Sequence, residues 1–129
     1  MPLKPQTLWP DDIEESPELA PVVILRQQAI EIGRRTKNTV EGWVETEVQG
    51  GRQFQHVFSL IAPLLGNRSR INLFVVTHPI DAFYPLEGSS GTSVARIADE
   101  SSFNEWIREQ LAAPRTRRIL STLLAQSIE

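Results

Sequence analysis

Apolar residues recur along this chain at two periods, about 3.6 towards the ends and 2 in the middle, and the changes of period divide it into elements. Val22, Leu25, Ala29 and Ile32 repeat at helical spacing, and Val23 and Ile30 widen the stripe. Gln27, Gln28, Glu31, Arg34 and Arg35 fill the opposite side. Ser16 as cap, Pro17 at the first helical position and Glu18 at the positive end of the dipole place the start near residue 16. Pro21 still falls in the first turns, where its missing N–H costs little, and Asn38 closes the far end.

The period then drops to 2. Val40, Val44 and Val48 alternate with Glu41, Trp43, Glu45 and Glu47, and beyond Gly50-Gly51 the residues Phe54, His56, Phe58, Leu60 and Ala62 alternate with Gln53, Gln55, Val57 and Ser59. A two-residue turn at the glycines would send the two apolar sides to opposite faces. A three-residue loop of Gln49, Gly50 and Gly51 keeps them together, pairing Thr46 with Phe54 and Val44 with His56 and setting Gly42 opposite Phe58. Trp43 and Val57 then become neighbours on the other face.

Pro63 and the run Gly66-Asn67-Arg68-Ser69 end this strand. Ile71 to His78 is apolar on both parities, the pattern of a central strand covered on both sides, and Pro79 stops it. A fourth strand comes from Ala82–Leu86 or Ser93–Ile97, with Glu87 to Thr92 as a connecting loop. Ser102 with Glu105 has capping-box spacing ahead of a stripe of Phe103, Trp106, Ile107 and Leu111. Pro114 opens a last helix bearing Ile119, Leu120, Leu123, Leu124 and Ile128. The order predicts an α+β fold: an N-terminal helix, an antiparallel sheet of three to four strands and two C-terminal helices.

Composition changes this picture mainly at the start of the chain. Pro2, Pro5, Pro10, Pro17 and Pro21 crowd the first 21 residues, so residues 1–15 are expected to form an extended arm ahead of one domain at 16–129. The arm carries Asp11, Asp12, Glu14 and Glu15, followed by Glu18, against Lys4 alone, and its bulky apolar residues are Leu3, Leu8, Trp9 and Ile13. Trp9 either anchors the arm on the body or docks a partner. Beyond residue 21 there are 11 acids and 12 bases, and the whole chain of 129 residues has net charge −3. Without a dominant basic face, general nucleic-acid binding is not expected. The absence of cysteine removes disulfides, thiolate metal sites and a cysteine nucleophile, and suits a reducing compartment. With no long apolar run and no signal-peptide pattern at the start, the expectation is a cytoplasmic protein without a membrane segment.

Candidate chemistry is sparse. His56, His78, Asp81 and Tyr84 are the residues from which an acid–base site could be assembled, since a carboxylate can orient a histidine and His78 ends a strand. Their spacing matches no motif of known mechanism, and neither histidine sits at zinc-protease spacing; no metal or cofactor is expected. The stretch Gly88-Ser89-Ser90-Gly91-Thr92-Ser93 lacks the lysine of a phosphate loop and reads as a connector. Arg115, Arg117 and Arg118 crowd the first turn of the last helix, where the dipole disfavours cations; an acidic partner or ion pairs with Glu105 and Glu109 would each account for them. Trp43, beside Val57 and Ile61 on a glutamate-rich face, is the size of an interface anchor.

The sequence is compatible with two functions. One is a non-enzymatic protein-interaction module, an accessory, adaptor or inhibitor-like protein binding another protein or a second copy through Trp43, Val57, Trp9 and the arginines. The other is a small enzyme or ligand-binding domain with a His/Asp site at one end of the sheet.

Overall fold

The computed structural model describes residues 6–66 and 69–127. Pro2, Leu3, Lys4 and Pro5 of the arm, Asn67 and Arg68 of the turn, and Ile128 of the last stripe lie outside them. Helix α1 (Pro21–Arg35) leads into a five-stranded sheet: β1 (Glu41–Gln49), β2 (Gln53–Ile61), β3 (Ile71–Pro79), β4 (Leu86–Ser90) and β5 (Ser93–Ile97). Helices α2 (Glu100–Ala112) and α3 (Pro114–Gln126) follow. The strands lie in sequence order and every neighbouring pair is antiparallel, so the fold is α+β with five strands rather than three or four.

Helix α1 starts later than its capping signals suggest. Ala20 is extended (ψ 137°) and Pro21 takes the first turn. A start at Pro17 would place the Pro21 ring against the Pro17 carbonyl, with no N–H to bond it. At the other end Lys37 and Asn38 both adopt positive φ, and the Asn38 N–H donates to the Gly33 carbonyl at 2.7 Å. The Thr36 hydroxyl lies 2.9 Å from the Ile32 carbonyl and 2.8 Å from that of Val40, which ties the helix end to the approach of β1. Ile24 and Leu25 form the buried edge of α1, whereas Val23 and Ile30 face outward. The stripe is narrower than the apolar pattern implied.

The β1–β2 loop has three residues, but they are Gly50, Gly51 and Arg52. Both glycines take positive φ, which favours seating them together at the tip. The register therefore slides by two residues from the expected one: Val44 pairs with Phe58, Thr46 with His56 and Gly42 with Leu60. A slide of two preserves every face and changes every neighbour. Gly42 accordingly owes its small size to α1, because a Cβ there would meet the Cβ of Ala29 at 2.6 Å.

Strand β3 reads as apolar on both parities for a reason other than double coverage. Phe58 pairs with Phe74 but Ser59 with Asn72, so one residue of β3 bulges and its alternation reverses. Ile71 and Leu73 before the bulge and Phe74, Val76 and His78 after it thus turn towards the same layer. Leu73, Phe74 and Val76 join Ile24, Leu25, Phe58, Leu86, Ile97, Phe103, Ile107 and Leu123 in one core. All three helices pack on this side of the sheet. Trp43, Val57 and Val75 belong to the opposite face and stand outside that core.

Strand β5 is the expected Ser93–Ile97, whereas β4 takes Leu86 and most of the segment expected to be a connector, and residues 82–85 supply no strand. The β4 sequence, Leu-Glu-Gly-Ser-Ser, has little strand propensity of its own. Packing favours it instead: Gly88 lets the Trp106 ring lie against the backbone, where a Cβ would come within 2.7 Å of Cε2. Trp106 also meets Phe74 edge to face, ring centres 5.0 Å apart. Helix α2 is capped by Asp99 rather than Ser102; the Asp99 carboxylate accepts from the Ser102 N–H at 2.8 Å, which holds its pKa below the usual range. Among the described residues no helix is long and apolar enough to cross a membrane.

Candidate functional site

The two histidines come together in the core. His56 on β2 and His78 at the end of β3 are both buried, and their Nε2 atoms lie 2.8 Å apart. The remaining ring nitrogens are also engaged: His56 Nδ1 lies 2.8 Å from the Thr46 hydroxyl, and His78 Nδ1 lies 2.8 Å from the Pro79 carbonyl and 3.1 Å from that of Ala82.

These contacts determine the protons. Carbonyl oxygens only accept, so His78 Nδ1 carries hydrogen and donates to Pro79 and Ala82. In neutral His78 the Nε2 is then an acceptor, and His56 must donate from its own Nε2. His56 Nδ1 is left to accept from the Thr46 hydroxyl. With both rings uncharged the chain Thr46–His56–His78–backbone is complete, and every ring nitrogen has a partner within the protein. His56 is pushed down from 6.5 to about 4, by burial first, then by His78 and by Arg26 of α1. At neutral pH the pair is uncharged at His56.

The carboxylate needed for acid–base work is elsewhere. Asp81 is exposed on the turn after β3, and the position it would occupy on His78 Nδ1 is taken by main-chain carbonyls. Asp81 and Tyr84 line a hollow of about 410 Å³ with Ser16, Glu18 and Ile80. The histidines instead line an apolar cavity of about 180 Å³ with Val22, Arg26, Thr46 and Phe54, and Phe83 stands between the two spaces. The Tyr84 hydroxyl is buried without a hydrogen-bond partner, and burial, then Glu100, Glu18 and Asp99, push its pKa well up. The four candidates are thus divided between two hollows. Among the described residues no three metal-ligating side chains gather.

The last-helix arginines have a local explanation that linear reading missed. The first turn of α3 abuts the C-terminal end of α2, whose dipole favours cations. Arg117 Nε donates to the Ala112 carbonyl at 2.9 Å and the Thr116 hydroxyl to the Gln110 carbonyl at 2.7 Å, so the start of α3 caps the end of α2. Arg115 reaches the Asn72 carbonyl at 3.3 Å, Arg118 remains exposed, and among the described residues none of the three forms an ion pair with Glu105 or Glu109.

Trp43 lies on the helix-free face, 48% exposed and paired with Ser59. Val57 and Ile61, the partners of Glu45 and Glu41, flank Ser59 on the neighbouring strand, and Val75 lies beyond Val57. The Arg70 guanidinium sits 5.9 Å from the Trp43 ring centre and bonds Glu45 at 2.6 Å, holding the indole in place. Trp9 is 76% exposed and does not anchor the arm. No protein-family model matches the chain, and no curated protein sequence and no solved structure matches it.

Proposed function

We propose that this chain is a non-enzymatic protein-interaction module that binds a protein partner through the helix-free face of its sheet. The observation that carries the reading is Trp43: a large, half-exposed indole, oriented by Arg70, amid Val57, Ile61 and Val75 on a face the helices leave bare. Exposed aromatic anchors braced by their neighbours suit binding hot spots. Glu41, Glu45 and Glu47 line the same face along β1, so the complementary surface is apolar at its centre and basic at one rim. The internally satisfied histidines, and the separation of Asp81 from them, support a binding role over an acid–base one.

Native mass spectrometry of the chain purified from its own host tests this. A stoichiometric complex with a protein partner is expected, reduced at least tenfold by Trp43→Ala and retained by Trp43→Phe. The thermal midpoint of Trp43→Ala should stay within a few degrees, because the indole is outside the core. A complex equally abundant with and without the indole would defeat the proposal.

A further inference from the structure

Helix α1 and the α2–α3 pair leave a channel between them above the middle of the sheet. Its accessible apolar lining is the partly buried Ile32, Leu111 and Leu120, above the core residues Phe58, Leu60 and Leu73, and it continues past Ile24 and Ile107. The two connected hollows share Gln28 and Leu111 and measure about 320 and 580 Å³. Arg35, Arg108 and Arg117 stand along its walls against one acid, Glu31, which already pairs with Arg34 and Arg35. The channel is therefore apolar below and basic at the rim.

The same chain carries the complementary segment. Residues 6–15 hold Asp11, Asp12, Glu14 and Glu15 with no base, and Leu8, Trp9 and Ile13 are 92%, 76% and 66% exposed. Three such side chains in ten residues have no cover within the protomer. Fully extended, these residues span roughly 33 Å, whereas the α1 residues that line the channel, from Ile24 to Arg35, rise about 17 Å at 1.5 Å per residue. The arm joins the body outside its own channel. The Leu19 N–H donates to Glu100 at 2.7 Å, and Ser16 and Glu18 lie beside Ile80–Tyr84 in a hollow that shares no lining residue with the channel.

We infer that the chain forms a two-fold dimer by arm exchange, the acidic apolar arm of each copy lying in the basic-rimmed channel of the other. Reciprocal exchange satisfies both copies with one contact and closes the assembly at two. It also leaves both Trp43 faces free, so the dimer presents two partner sites.

Sedimentation equilibrium of the full chain tests the exchange. The wild type should show twice the chain mass. Asp11→Lys with Asp12→Lys, changes in an exposed segment outside any helix or strand, should weaken dimerisation by roughly tenfold or more. Arg108→Glu with Arg117→Glu should do the same, with circular dichroism confirming the fold because Arg117 also caps α2. Mixing the two variants should restore a mixed dimer, since each arm then meets a channel of opposite sign. A wild type that stays at one chain mass at every concentration overturns the inference, as does failure of the mixture to pair. A dimer lost on Trp43→Ala but indifferent to the arm overturns it as well, by moving self-association to the sheet face; a dimer unaffected by that change supports it.

Discussion

Gly42→Val is expected to cost about 3 kcal/mol of folding stability, the upper end of ordinary overpacking penalties. The helix crosses β1 at this residue so closely that any side chain meets Ala29. The nearest obstacle is the backbone Cα of Ala29, not only its methyl group. Removing that methyl by Ala29→Gly should therefore fail to rescue the variant, and a glycine inside α1 should cost about 1 kcal/mol more. Urea unfolding of the two single variants and the double variant measures this. Full recovery in the double variant would mean that the helix rests on a side chain rather than a backbone contact. By contrast, Gly50→Ala has open space around its Cβ, and its cost would come from positive φ alone.

Acid should destabilise the fold well before its carboxylates are half protonated. In the unfolded chain His56 takes up a proton near 6.5, and in the folded chain near 4. Between those values the unfolded state holds more protons, so stability is full above pH 6.5 and falls as pH drops towards 4. The difference corresponds to roughly 3 kcal/mol across that window. The cause is burial first, then the neighbouring His78 and Arg26; in addition, a proton added at His56 Nδ1 must displace the Thr46 hydrogen that now points at it. Replacing both rings, His56→Leu with His78→Leu, removes the acceptor and donor together, and the slope of stability between pH 6.5 and 5 should vanish. Equal slopes in wild type and double variant would show that other groups carry the acid sensitivity.

The histidine site illustrates how far linear reading extends. Alternation along β2 directs His56 to the helix side of the sheet with Phe54 and Phe58, and that much follows from local parity. Its partner did not follow, because His78 reaches His56 through the β2–β3 register, where Phe54 pairs with His78 and His56 with Val76. The bulge at Leu73–Phe74 is equally silent in the sequence: a run of apolar residues reads alike whether one face is buried with a bulge or both are buried without one. The arginines of α3 look misplaced only while α3 is considered alone. Their favourable interaction is with the end of a different helix.

Periodicity, prolines and glycines by themselves determined that this is an α+β chain with helices at both ends, which faces of the first two strands are apolar, and that the first hairpin closes through a three-residue loop. Those are short-range properties, carried by residues within a few positions of one another. The tertiary structure alone decided the register of that hairpin, the existence of β4 beneath Trp106, the joining of His56 to His78 and the exposure of Trp43. Each depends on groups distant in sequence meeting in space, where close packing and completed hydrogen bonds outweigh the weak local preferences of the segments involved.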